Sequence, residues 1–194
     1  MKTLHQTQEQ IALELDLIRK AQNNPKYFAP VYDKYYKAIF LFIYRRTDDE
    51  DLTADLTSQV FMKALVNLAK YQFKGLPFSS WLYRIAANEV NMHFRKHQSS
   101  RAISIEDEGL ARLLSELHEN PMEHTEAMDV EELITESLGS LEEEDLQFLE
   151  LRFFEGRSFK EVAYITGITE NNAKVKTYRI LDKIKKFLKS KGKI

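Results

Sequence analysis

The chain has 194 residues, 43% hydrophobic and 30% charged, enough to bury one core or two small ones and remain soluble. It contains no cysteine, which excludes disulfides and thiolate chemistry and suits a reducing cytoplasm. No apolar run approaches the roughly 20 residues of a membrane helix and the N-terminus lacks a signal-peptide pattern, so a cytoplasmic protein without membrane insertion is expected. The net charge of −2 argues little for nucleic-acid binding until its distribution is considered. From Glu106 to Asp145 the one lysine or arginine among many acids is Arg112, whereas residues 174 to 193 carry repeated lysines and one acid, Asp182. Such asymmetry assigns the segments different partners.

Glycine and proline are scarce and strand-like alternation is absent, so the expected fold is all-α. A first helix is predicted from Glu9 to Ala21. Asn24 with Pro25 opens a second, whose Phe28, Val31, Tyr32, Tyr35, Ile39, Phe42 and Ile43 form a wide apolar face. A third covers Asp49 to Lys70, with Leu52, Leu56, Val60, Ala64 and Leu68 in register. The stretch "YQFKGLPFSSW" breaks the pattern, because Gly75 and Pro77 do not readily continue a helix. Residues 81 to 97 form a fourth helix, with Leu82, Ile85, Ala86, Val90 and Phe94 facing a core and Arg84, Asn88, Asn91 and Arg95 sharing another face. Residues 98 to 128 lack a sustained apolar stripe and are read as a linker holding a short helix around Leu110 to Leu117. Helices near 129 to 138 and 142 to 154 begin a second domain, and no internal repeat is evident.

The stretch "RSFKEVAYITGITENNAKVKTYR", residues 157 to 179, specifies a tight corner. Ser158 and Glu161 form a capping box, Gly167 supplies a left-handed C-terminal cap, and Thr169 caps the next helix. Ala173, Thr177, Ile180, Leu181, Ile184 and Leu188 then make a core stripe. Asn171, Lys174, Tyr178 and Arg179 lie opposite, with Lys183, Lys185, Lys186 and Lys189 extending the positive charge. A short helix, a tight turn and a basic second helix make a helix-turn-helix that can enter the major groove. The competing account is a solvated terminal helix whose lysines complement its dipole.

Two blocks carry a more specific signal. "ADLTSQVFMKALVNL" with "FSSWLYRIAANEVNMHFRK", followed after the linker by "LEEEDLQFLELRFFEGRSFKEVAYITGITENNAKVKTYRILDKIKKFL", resembles bacterial sigma factors of the extracytoplasmic-function (ECF) type in the sigma-70 family. The resemblance covers roughly residues 20 to 98 and 130 to 190. It implies a region 2 domain over residues 1–98, an acidic linker over 99–128 and a region 4 domain over 129–194. It further implies a non-catalytic subunit that docks on core RNA polymerase (beta and beta-prime subunits), recognises promoter DNA and aids melting. No cofactor is implied, and an anti-sigma factor is a common partner in such a family.

By this resemblance Asp55, Gln59, Met62 and Lys63 fall on the helix that docks on the polymerase clamp. Phe73, Phe78, Arg84, Asn88, Asn91, Arg95 and Lys96 fall on the part that opens and reads the minus-ten element. That chemistry suits them, since melted bases are stacked or hydrogen-bonded while cations hold the backbone. Phe73, Phe78 and Trp81 could equally be core anchors, and Trp81 is read as one. Asn171, Asn172, Lys174, Tyr178 and Arg179 fall on the DNA-facing part of the helix-turn-helix, with Lys176 a phosphate contact. Ala54-Asp55 stands where the family often has two acids, Gln59 replaces a common glutamate, and Thr177 replaces an aliphatic residue. The linker acids suit a positively charged nucleic-acid channel, or are simply a solvated tether.

Three other readings can be framed. An enzyme finds no phosphate-binding glycine loop, nucleophile motif or di-iron signature. Glu89, His93 and His97 recur at metal-ligand spacing, but a single helix supplies them all. A stand-alone repressor or activator would bind duplex DNA without polymerase.

Overall fold

A computed structural model describes residues 8–97, 107–117 and 127–191. Every regular element among the described residues is helical, and the chain divides into two compact units, Met1–Ala102 and Ile103–Ile194.

In the first unit α1 spans Gln8–Asn23, a 3-10 turn Pro25–Phe28, α2 Ala29–Thr47, α3 Glu50–Asn67, a 3-10 turn Leu68–Lys70 and α4 Phe78–His97. Local chemistry sets these boundaries. The Asn24 side chain accepts from Lys26 N–H and Pro25 occupies a position where no amide hydrogen is needed. At the end of α2, Asp48 turns left-handed at φ 48° and returns its N–H to Tyr44 O; Asp49 then caps α3 by accepting from Leu52 N–H. Glu50 and Asp51 in the first turn of α3 complement the helix dipole.

The apolar stripes of α2, α3 and α4 meet in one core containing Val31, Ile39, Phe42, Ile43, Leu56, Val60, Ala64, Leu82, Ala86 and Val90. Each fully buried aliphatic or phenyl side chain contributes roughly 1.5–3 kcal/mol. Three expected core positions differ. Leu52 and Ile85 are half-buried, and Tyr32 is 38% exposed. Tyr32 instead packs at a tilt against Phe61 and Tyr36, at 4.7 and 5.2 Å between centroids, at the edge of the core. Partial desolvation, with Tyr36 and Asp33 beside it, raises the Tyr32 phenol above its ordinary pKa. Arg46, by contrast, is buried, with its guanidinium 3.5 Å from the Phe42 ring centroid and a hydrogen bond from Nη1 to Phe42 O at 2.8 Å.

In the second unit α5 spans Asp107–Leu117, α6 Ala127–Gly139, α7 Glu143–Leu149, a π-helical turn Glu150–Phe154, α8 Phe159–Thr166 and α9 Glu170–Ser190. The sequence pattern predicts one helix from 142 to 154, but that stretch changes pitch after Leu149. Phe148, Leu149, Leu151, Phe153 and Phe154 are all buried, more apolar side chains than one regular helix face accommodates. Widening the turn re-aims them inward. Glu155 N–H reaches Glu150 O at 2.8 Å, and Gly156 reverses the chain at φ 63°.

The acidic segment also contains more packing than its pattern suggests. Leu110, Leu113 and Leu117 are buried, and α5 lies against the π turn and α9. A Cβ at Gly109 would overlap the Phe154 ring, so glycine permits this close approach. Arg112 Nη2 adds a hydrogen bond to Phe154 O at 3.3 Å. The short helix expected around Leu110 to Leu117 forms, and its three leucines dock it into the second unit.

Candidate nucleic-acid and polymerase interfaces

The outer side of α3 presents Asp55, Gln59 and Met62, all exposed, at helical spacing. Met62 is 67% exposed, and Val66 at 73% and Leu65 at 39% extend the apolar surface, two residues that the sequence reading missed. They belong to the same i, i+4 and i, i+3 series as Gln59 and Met62. Lys63 is different. Its Nζ lies 2.5 Å from Glu89 Oε2 on α4, and the Glu89 side chain is only 6% exposed. Lys63 therefore ties α3 to α4 through a largely buried carboxylate, while its own side chain stays 46% exposed.

Glu89, of the Glu89, His93 and His97 series, is held in this ion pair. Among the described residues no group of three or more histidine, cysteine or carboxylate side chains could hold a metal ion. The side chain of His97 lies outside the described residues.

Between Lys70 and α4 the chain makes an irregular loop in which Gly75 adopts φ 71°. Phe73 projects from it, 45% exposed. Phe78 does not: it is 2% exposed and packs against Tyr71 and Trp81, with centroids 5.0 and 5.3 Å away. Its ring so enclosed, Phe78 packs as a core anchor, one of the two roles its sequence position allows. Trp81 is half-buried in the same cluster, 5.0 Å from Tyr71. The register of α4 aligns Arg84, Asn88, Asn91 and Arg95 on one side; Asn88 and Arg95 are exposed and Arg84 and Asn91 half-buried. Lys96 is exposed and lies about a quarter-turn from that line, whereas Met92, 44% exposed, lies beside it.

The loop is held by α1. Gln22 Nε2 donates to Leu68 O at 3.0 Å and to Tyr71 O at 2.9 Å. At the other end Glu14 Oε2 accepts from Phe78 N–H at 3.2 Å, satisfying an amide at the start of α4. Glu14 Oε1 also accepts from Tyr35 Oη and from Lys34 Nζ, the latter at 2.6 Å. Neither Glu14 nor Gln22 carries a sequence signal, because their partners in the loop are 46 to 64 residues distant.

In the second unit the corner forms as its residues dictate. Ser158 Oγ accepts from Glu161 N–H at 3.3 Å, while Glu161 Oε2 accepts from Ser158 N–H at 3.0 Å. Gly167 is left-handed at φ 80°, and Thr169 Oγ1 accepts from Asn172 N–H. Ala173, Thr177, Ile180, Leu181, Ile184 and Leu188 are all buried. Thr177, unusual in such a stripe, donates its hydroxyl to Ala173 O at 2.9 Å and so enters the core satisfied.

The opposite side of α9 exposes Asn171, Asn172, Lys174, Tyr178 and Arg179. Val175, 41% exposed between them, is an apolar member the sequence reading passed over; it can contact a thymine methyl. Lys176 is turned away. Its Nζ lies 2.7 Å from Glu144 Oε1 and 3.6 Å from Asp145 Oδ1, over the Phe148 ring at 4.7 Å. Lys183 likewise pairs with Asp145 at 2.5 Å. The acids of α7 thus neutralise one flank of α9, on which Lys176 lies.

The sigma-70 region 2 family model matches residues 31–100 and the sigma-70 region 4 model matches residues 131–184, together more than half of the chain. The ECF RNA polymerase sigma factor BldN of Streptomyces coelicolor is 27% identical over 90% of this chain, which spans 65% of that protein's length. The ECF sigma factor SigM of Bacillus subtilis is 24% identical, over 80% of this chain and 91% of SigM. The solved sigma factor RpoE of Bartonella quintana, in complex with the anti-sigma factor NepR, has a similar fold with a TM-score of 0.57; at 19% identity the match covers 84% of this chain and 96% of that one. No described helix is long and apolar enough to cross a membrane. With both conserved regions present in order, the chain belongs to the sigma-70 family of RNA polymerase sigma factors, in its ECF group.

Proposed function

We infer that this protein is a non-catalytic specificity subunit that docks on core RNA polymerase, directs it to promoters bearing two spaced elements and aids strand opening. The observation that carries the reading is the corner of α8 and α9: a fully capped helix-turn-helix exposes Asn171, Lys174, Val175, Tyr178 and Arg179 on the side of α9 opposite its buried stripe. Asparagine can pair bidentately with adenine and arginine with guanine, and the lysine can neutralise phosphate. In the first unit, Phe73, Arg84, Asn88, Asn91, Arg95 and Lys96 are the proposed minus-ten contacts. Asp55, Gln59, Met62, Leu65 and Val66 form the proposed clamp-docking face. An anti-sigma factor is a proposed partner, since an exposed apolar face such as Met62, Leu65 and Val66 must be covered by polymerase or by something that competes with it. The site of action is the cytoplasm, where the polymerase works.

The test is run-off transcription from a genomic promoter library with purified core polymerase, with and without this protein, paired with core binding by size exclusion. Transcripts that require the protein and share two upstream elements are expected. Tight binding to duplex DNA without polymerase, with neither core binding nor transcripts, would instead identify a stand-alone regulator.

A further inference from the structure

α1 lies outside the matched region 2 residues, 31–100, yet it holds both ends of the loop proposed to engage melted DNA. Gln22 fixes the entry through Leu68 O and Tyr71 O, and Glu14 fixes the exit through Phe78 N–H. Glu14 is buried at 6% exposure and is itself oriented by Tyr35 and Lys34. Between these anchors Tyr71, Phe78 and Trp81 pack into one aromatic cluster, leaving Gln72, Phe73, Lys74 and Gly75 exposed. A short loop fixed at both ends loses less conformational freedom on capturing a ligand than one fixed at neither.

We propose that Gln22 and Glu14 are positioning residues for promoter opening: α1 presets the loop from Tyr71 to Phe78 to receive a nucleotide of the separated minus-ten strand. The proposal rests on the reading of the protein as a sigma factor. Capture by a preset loop favours the open strand over the duplex, so the brace acts on opening and not on recognition of the upstream element by α9.

Gln22 is the cleaner site to test, because it is half-buried whereas loss of buried Glu14 endangers the fold. Gln22→Met keeps the side-chain length and removes both donors; Gln22→Lys retains a donor. Trp81, the single tryptophan, reports the loop in the free full-length chain without any promoter. Iodide quenching of Trp81 should rise in Gln22→Met. In transcription with core polymerase, that variant should lose about tenfold on a duplex promoter, the loss expected for two hydrogen bonds, and less than threefold on a template pre-melted across the minus-ten element. Gln22→Lys should recover most of the duplex activity. Equal losses on both templates, or undiminished duplex transcription, would overturn the proposal. Failure of the wild-type chain to support promoter-dependent transcription would overturn the sigma-factor reading instead, and unaltered Trp81 quenching in Gln22→Met would then refute the brace separately.

Discussion

Gly167 offers a test of the corner in which backbone strain acts alone. It caps α8 at φ 80° and ψ 24°, and its N–H and that of Ile168 both reach Ala163 O, at 2.8 and 3.0 Å. A Cβ placed there meets no atom within 4 Å, so a substitution introduces no clash. An L-residue held left-handed costs about 1–2 kcal/mol, offset by ~0.4–1 kcal/mol because alanine restricts the unfolded chain. Gly167→Ala should therefore destabilise the second unit by about 1 kcal/mol, Gly167→Val by more because β-branching resists this region, and Gly167→Asn by least. Native-state hydrogen exchange on the full chain measures this locally. Protection of the α9 amides should fall about fivefold in Gly167→Ala, while that of α2 to α4 is unchanged. If Asn costs as much as Val, or Ala costs nothing, the left-handed cap is not the reason for glycine.

Lys174→Ala and Arg179→Ala should each reduce use of the upstream element about tenfold in run-off transcription while core binding persists; loss of core binding would contradict the assignment. Lys176→Ala, whose ammonium pairs with Glu144 and Asp145, should leave promoter use within about twofold and cost ~0.5–1 kcal/mol of stability in hydrogen exchange. Phe78→Ala should cost about 3–5 kcal/mol in a denaturant titration followed by circular dichroism. Phe73→Ala should stay within ~0.5 kcal/mol and impair opening instead; equal stability losses would show the loop assignment to be wrong. Lys63→Met should cost about 1–2 kcal/mol by leaving Glu89 without its cation, partly recovered by adding Glu89→Gln. A neutral Lys63→Met would mean that the pair contributes nothing and that Lys63 can serve the docking face.

The α8–α9 corner was legible because its determinants are neighbours in the chain. Ser158 and Glu161 are three residues apart, Gly167 needs only its own missing side chain, and Thr169 acts on Asn172 within one turn. The stripe from Ala173 to Leu188 is likewise a property of helix period. The same holds for Asn24 and Pro25, and for the alignment of Arg84, Asn88, Asn91 and Arg95 along α4. The family resemblance added which of these solvent-facing rows was to be read as an interface.

Less was legible where one side chain's surroundings depend on another element. Lys63 and Lys176 look like exposed cations in their own helices, and only the placement of Glu89 and of the α7 acids commits them to ion pairs. Phe73 and Phe78 are chemically identical, yet one projects and the other is enclosed by Tyr71, Trp81 and the α1 brace. The helix order, the caps and the recognition corner were thus determined by the sequence itself, through interactions spanning one or two turns. The π turn, the docking of α5 and the clamping of the loop by Glu14 and Gln22 were decided only by tertiary structure, because burial and hydrogen-bond partners there come from residues as many as 64 positions away.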